Sequence, residues 1–291
     1  MSKNRTVVFA HFDVNNLIQD YVVYYLKELS KIANNIIFVS DSDIDEKQLE
    51  KISDIVTHSI VGRHGEYDFG SYKKGYLYLC DTNGLNNTDN LIFANDSCYA
   101  PITSFEKMFE SMDEKKLDFW GITANKDSYW GNILHAQSYF LTFSSEVFLS
   151  DTFKNFINNI SHQNSKKDVV TKYEFGLTHM LENAGFKWGV YCERSKLVWC
   201  SLVLKYKYLI SKENCPVLKR GLVLNRIKQV YDKNGLKVFI QQNTNYQYSL
   251  IENDYILNST KASFVSSLLT TIYRYIVSLL ISIKQVFDGD I

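Results

Sequence analysis

Runs of strand-length apolar sequence that alternate with helical spacing constrain this chain more than any other feature. Thr6-Val7-Val8-Phe9-Ala10 is continuous and apolar, and Leu17, Val22, Tyr25, Leu26 and Leu29 then recur every three or four residues. Ile36-Ile37-Phe38-Val39 repeats the strand signal, Ile55–Val61 gives a weaker third, and Leu91-Ile92-Phe93-Ala94 a fourth. Strands separated by helices of this length predict an α/β fold: a mostly parallel sheet of right-handed βαβ units, flanked by helices. Phe119–Thr123 and Ser138–Phe143 read as further strands, the second alternating and hence half-buried or antiparallel. Phe148–Ile160 and Asp168–Leu181 read as helical, and Phe186–Trp199 as one or two late strands. Asp43 with Glu46, and Thr103 with Glu106, have the spacing of capping boxes.

With 291 residues the chain can bury a large core. Beyond about Lys205 it turns Lys-rich and the alternation stops, which predicts one domain over 1–204 and a mainly helical region over 205–291. Lys+Arg and Asp+Glu both number 32, so a nucleic-acid partner held by counterion release is not expected. The five cysteines have no metal-ligand spacing, and Met1–Arg5 runs into the first strand without an apolar leader. Both observations predict a cytoplasmic, reducing setting.

In an open α/β sheet, ligands bind outside the carboxyl ends of the strands. The fourth run ends there in Asn95-Asp96-Ser97. A strand-end Asp96 can hold Mg²⁺ or Mn²⁺ against diphosphate oxygens, or it can cap a turn through its own side chain. His11, Asp13 and Asp41 follow the first two strands and share that edge, as contacts to base or ribose or as turn formers. The stretch Gly65–Gly75 brings Tyr67, Asp68, Gly70 and Lys74 together, with a nearby Phe69 and Lys73. It reads either as a turn that stacks a base and reaches phosphate, or as an aromatic-rich helix with Tyr72, Tyr76 and Leu79 on its core side. Glu174 lies in a stripe with Tyr173, Leu177, Met180 and Leu181, as a general base facing a cleft or as a first-turn partner of the helix dipole. His135 and Gln137 are candidate acceptor contacts, and a lone histidine equally fits a structural place.

The blocks Val8–Asp13, Phe38–Asp41, Tyr67–Lys73, Leu91–Tyr99, Asp118–Thr123, His135–Phe140 and Tyr173–Thr178 together resemble the rhamnan synthesis F family, over roughly Thr6 to Tyr191. That resemblance implies a GT-A-like glycosyltransferase of cell-wall or lipopolysaccharide assembly. The implied donor is the nucleotide sugar dTDP-L-rhamnose, with a divalent cation and a saccharide or lipid-linked acceptor. It also implies inverting transfer, with Asp96 on the metal, Glu174 as base, and His11, Asp13, Asp41, Tyr67, Asp68, Gly70, Lys74 and Asn95 on the donor. Two departures stand out: Gly65-Glu66-Tyr67 lacks the asparagine-to-glycine lead-in, and Asn95-Asp96-Ser97 has one carboxylate where Asp-x-Asp is common. The single carboxylate favours the alternative, a catalytically silent GT-A-like module that binds glycan or scaffolds an assembly complex. A nucleotidyltransferase is disfavoured because no glycine-rich, Arg-bearing loop follows the first strand.

From Phe264 to Phe287 apolar residues hold one helical face, Ser, Thr and Arg274 fill the other, and Lys261 and Lys284 flank the run. This pattern over about 262–287 predicts an in-plane amphipathic helix on a membrane surface, or a helix packing on its own domain or on a second copy.

Overall fold

The computed structural model describes residues 3–127, 133–197, 201–224 and 233–258. The chain divides into two compact units, Met1–Leu218 and Lys219–Ile291. The change of sequence character at about 205 therefore falls inside the first unit, which also contains the helix Tyr206–Glu213.

The first unit is built on seven strands: β1 (Arg5–His11), β2 (Asn35–Ser40), β3 (His58–Val61), β4 (Asn90–Asn95), β5 (Phe119–Gly121), β6 (Phe140–Ser144) and β7 (Trp188–Val190). They lie in the order β7-β5-β6-β4-β1-β2-β3. Every neighbouring pair is parallel except those of β6, which runs antiparallel to both β4 and β5. This is the expected α/β architecture, a mostly parallel sheet flanked by helices. Strands β1 and β4 are buried along their whole length, which explains continuous apolar runs in place of alternation. Ser138–Phe143 alternates in sequence, yet Phe140 to Phe143 is buried throughout, because helices cover both faces here: Phe140 packs on Phe105 and Phe143 on Phe153.

Helix α1 (Asp20–Leu29) follows β1 and α2 (Tyr67–Asp81) follows β3. From β1 the chain steps outward through β2 to β3, then returns to the other side of β1 to form β4. Right-handed crossovers in opposite directions place α1 and α2 on opposite faces. Phe9 and Tyr25 pack edge to face at 5.2 Å on the α1 side, and Tyr72 stacks on Phe93 at 4.5 Å on the α2 side. Helix α3 (Phe105–Asp113) joins the first layer through Phe105 and Tyr25. Helix α4 (Asp151–Asn158) joins the second through Phe153 and Tyr76.

Gly65–Gly75 is thus the start of α2, and Tyr72, Tyr76 and Leu79 face the core. A Cβ on Gly75 would lie 2.3 Å from Val8 Cγ1, so the glycine is what lets α2 cross β1 this closely. Two caps sit one or two residues from their predicted places. Ser104, not Thr103, accepts the Lys107 N–H at 3.2 Å, while Thr103 Oγ1 donates to the Asn214 carbonyl. Asp45, not Asp43, caps the short helix Glu46–Leu49, and Asp43 pairs with Arg63 at 2.7 Å.

The predicted helix over Asp168–Leu181 is one helical run with a π-helical turn, Val170–Phe175, between Lys166–Val169 and α5 (Gly176–Asn183). Of the late strands, Trp188–Val190 is strand, and Glu193–Leu197 is a 3₁₀ turn.

The described part of the second unit is helical: Arg220–Leu224, Lys233–Asn243 and Tyr248–Asn258. Arg220 grips the buried Asp254 through two 2.7 Å hydrogen bonds, joining the first of these helices to the last. The predicted amphipathic helix at about 262–287 lies outside the described residues. Among the described residues no helix is long and apolar enough to cross a membrane.

Candidate functional site

The register sets the site. Ala10 lies opposite Val39 on one side and Asn95 on the other, so β1, β2 and β4 end level with one another. Between β1 and β4 the direction of winding reverses, and the carboxyl edge there is the crevice where open α/β sheets bind ligands. Asp96 bridges this point: its Oδ2 accepts the Phe12 N–H at 3.1 Å, and its backbone carbonyl accepts the Tyr21 hydroxyl. Asp96 is 7% exposed, while Phe12 and Val14 beside it stand in solvent.

Asn95 reaches across to α2. Its Nδ2 donates to Asp68 Oδ2 at 2.7 Å, and its Oδ1 accepts from the Ser97 hydroxyl and N–H. One turn on, Tyr72 donates its hydroxyl to the Ser138 carbonyl at 2.9 Å. Burial, with Asp68 nearby, pushes the Tyr72 phenol well above its usual range, so it stays a donor. The Ser138 N–H in turn donates to Glu174 Oε1 at 3.3 Å. The Ser138 peptide therefore connects α2 and the strand-end Asn95 to the π-helical turn that carries Glu174. Such turns concentrate at functional sites because they re-aim one side chain. Glu174 lies inside a continuous helical run, not in a first turn, so a helix-dipole role does not explain it.

His135 comes from the second strand of an antiparallel ribbon, Ala124–Asp127 with Ile133–Ala136. Its Nε2 lies 3.6 Å from Glu174 Oε1, its ring packs on Phe175 at 4.0 Å, and it is 1% exposed. Gln137 is half-buried at the rim and accepts the Thr123 hydroxyl at 2.7 Å, with Tyr139 next in the chain of hydroxyls.

The other predicted positions separate into loop-builders and surface groups. Both oxygens of Asp13 are engaged: Oδ1 accepts the N–H groups of Asn15 and Leu17, and Oδ2 accepts Gln19 Nε2 at 2.7 Å. His11 Nδ1 meets Ser40 Oγ at 2.9 Å, and its ring packs on Phe38. Asp41 holds the next loop through the His64 and Gly65 N–H groups, charge-assisted bonds that shape the lead-in to α2. Gly70 has no room for a side chain, since a Cβ there would meet Glu66 Cβ at 2.3 Å. Tyr67 is 40% exposed with φ of 57°, a left-handed backbone at the mouth of the site. Lys74 is exposed, whereas Lys73 spends its ammonium on the Asn158 and Ile160 carbonyls, and Phe69 is buried against Tyr173.

Sequence reasoning missed Tyr72 and Ser138 as site residues. The available signal was a tyrosine where the stripe asks only for a hydrophobe, since a buried hydroxyl needs a partner. It also missed His64, whose Nδ1 accepts the Glu66 N–H and whose Nε2 meets Ser71 Oγ at 3.0 Å. Burial holds the His64 imidazole below its usual range; Asp41 opposes this and Lys74 reinforces it.

Among the described residues no three His, Cys, Asp or Glu side chains converge as ion ligands. A Mg²⁺-like ion that keeps waters and takes substrate phosphates asks the protein for only one or two carboxylates. Asp96 fits that requirement.

The sequence model described as "Rhamnan synthesis protein F" matches residues 36–283. Protein y4gN of Sinorhizobium fredii is 27% identical over 55% of this chain and 42% of its own length. Virulence protein VirA of Vibrio anguillarum is 30% identical over 43% of this chain and 38% of its own. The chain thus spans less than half the length of these curated relatives. Among solved structures, core-mannan synthase A from Aspergillus fumigatus in its Mn/GDP form aligns with 65% of this chain and 73% of its own. That match has a TM-score of 0.39 and 11% identity.

Proposed function

The chain belongs to the rhamnan synthesis protein F family, and from that premise we propose that it is a glycosyltransferase whose active site is the β1/β4 crevice. The observation that carries this reading is one connected constellation. A strand-end carboxylate, Asp96, and a buried-edge carboxylate, Glu174, are joined through Asn95, Asp68, Tyr72 and Ser138. The donor is dTDP-L-rhamnose, and the acceptor a growing saccharide or a lipid-linked oligosaccharide.

In this mechanism Asp96 would hold a divalent cation, and that ion would supply charge neutralisation at the diphosphate of the departing nucleotide. Asp68 and Asn95 border the same edge, and exposed Phe12 and Tyr67 flank it. Glu174 accepts the proton of the attacking acceptor hydroxyl on the face opposite the leaving group, which gives inversion. Gln137 contacts the acceptor at the rim. The amphipathic stretch at 262–287 holds the protein to the cytoplasmic membrane surface, where lipid-linked acceptors lie.

Glu174→Gln tests the assignment. It keeps shape and hydrogen bonding, so donor binding is retained, while transfer falls by roughly 10²- to 10⁴-fold. Retained turnover removes Glu174 from the base role. The second reading, a silent glycan-binding module, is favoured by the lone carboxylate of Asp96, and it predicts saccharide binding with no donor turnover.

A further inference from the structure

His135 is 1% exposed, yet it is not a satisfied structural histidine. Among the described residues its Nδ1 has no hydrogen-bond partner, and its Nε2 lies 3.6 Å from Glu174 Oε1. We infer that His135 is the positioning residue of Glu174, holding the proposed base through an Nε2–H directed at its carboxylate; this rests on the glycosyltransferase reading.

A hydrogen on Nδ1 alone would bury a donor with nothing to accept it, at a cost of about 1–3 kcal/mol. A bare Nδ1 lone pair is the cheaper orphan. The ring therefore carries hydrogen on Nε2, facing the Glu174 carboxylate. Phe175 fixes the plane of the ring at 4.0 Å between centroids, and the ribbon fixes its position. The Ser138 N–H approaches the same Oε1 at 3.3 Å, so two donors from different elements converge on one oxygen. At 3.6 Å the His135 contact is longer than a formed hydrogen bond. A shift of a few tenths of an ångström on substrate binding closes it, and in a site largely shielded from water that contact is stronger than at a surface.

The test has one arm that needs no turnover. Nitrogen-15 histidine NMR of the full chain, with the His135 signals assigned by their loss in His135→Phe, is predicted to show hydrogen on Nε2 and a shifted Nε2 signal in Glu174→Gln. A proton on Nδ1 alone, or a signal indifferent to Glu174→Gln, overturns the inference whether or not the protein is a transferase. In the kinetic arm, dTDP-L-rhamnose and octyl α-L-rhamnopyranoside are the donor and acceptor probes. His135→Phe keeps the ring packing and loses the donor, so kcat falls on the order of 10²-fold with little change in acceptor KM. His135→Gln places an N–H near the same point and restores most of that loss. A raised acceptor KM in both variants overturns the inference in favour of direct acceptor contact. Wild-type protein that turns over no donor counts against the function, and the NMR arm still decides the pairing.

Discussion

Gly75→Ala is a one-carbon test of how the sheet and α2 hold the site together. The new Cβ would lie 2.3 Å from Val8 Cγ1 and 3.0 Å from Cγ2. Unstrained carbon contacts begin near 3.5 Å, so α2 or Val8 must move by about 1.2 Å. Overpacking of this kind costs about 1–3 kcal/mol, and the better helix propensity of alanine returns up to about 1 kcal/mol. The expected net loss is about 1–2 kcal/mol, a fall in melting temperature of about 2–3 °C at this chain length. Val8→Ala removes the two methyl groups that clash, so in that background Gly75→Ala is neutral or stabilising. The assay is a double-mutant cycle by urea unfolding of the full chain. Since α2 also carries Asp68 to within 2.7 Å of Asn95, the single variant weakens donor binding and the double variant regains it. Additive stability effects, or a Gly75→Ala protein as stable as wild type, would refute the close-approach reasoning.

Two further predictions follow from the hydrogen bonds. Tyr72→Phe leaves the buried Ser138 carbonyl without its 2.9 Å donor, so it costs about 1–2 kcal/mol of stability and lowers kcat more than donor affinity; unchanged stability by urea unfolding contradicts this. His64 is held below its usual imidazole range by burial. Its contribution to stability is therefore complete above about pH 6.5 and is lost as pH falls through the lower folded-state value. Melting curves between pH 7.5 and 5 should fall less steeply for His64→Gln than for wild type, and parallel slopes count against the assignment.

The parallel strands were legible because strands buried on both faces must be apolar without interruption, as Val7 to Ala10 and Leu91 to Ala94 are. The edge they share was legible for the same reason, since each run ends in polar residues. What those polar residues do was not. Asp13 and Asp41 look like ligand contacts until the loops fold back onto them, and which amides reach a carboxylate depends on turns that pair residues far apart, such as Asp41 with Gly65. Gly70 and Gly75 invited a ligand-approach reading, and the approaching groups are Glu66 and Val8 of the protein itself. The π-helical turn has no signature distinct from an α-helix, because inserting one residue leaves the apolar stripe of Tyr173, Leu177 and Leu181 intact. Glu174 and His135 could each be singled out in sequence, but their pairing, and the place of Ser138 beside them, could not, since the sheet and ribbon bring these residues from nearly forty positions away.

The most direct test of the central claim is calorimetric titration of dTDP-L-rhamnose, UDP-sugars and GDP-sugars into the full chain, with Mn²⁺ or with chelator, for wild type and Asp96→Ala. The expected result is that one nucleotide sugar, dTDP-L-rhamnose, binds, and that binding needs both the ion and Asp96. Folded protein that binds none of them, or that binds one equally well after Asp96→Ala, would contradict it.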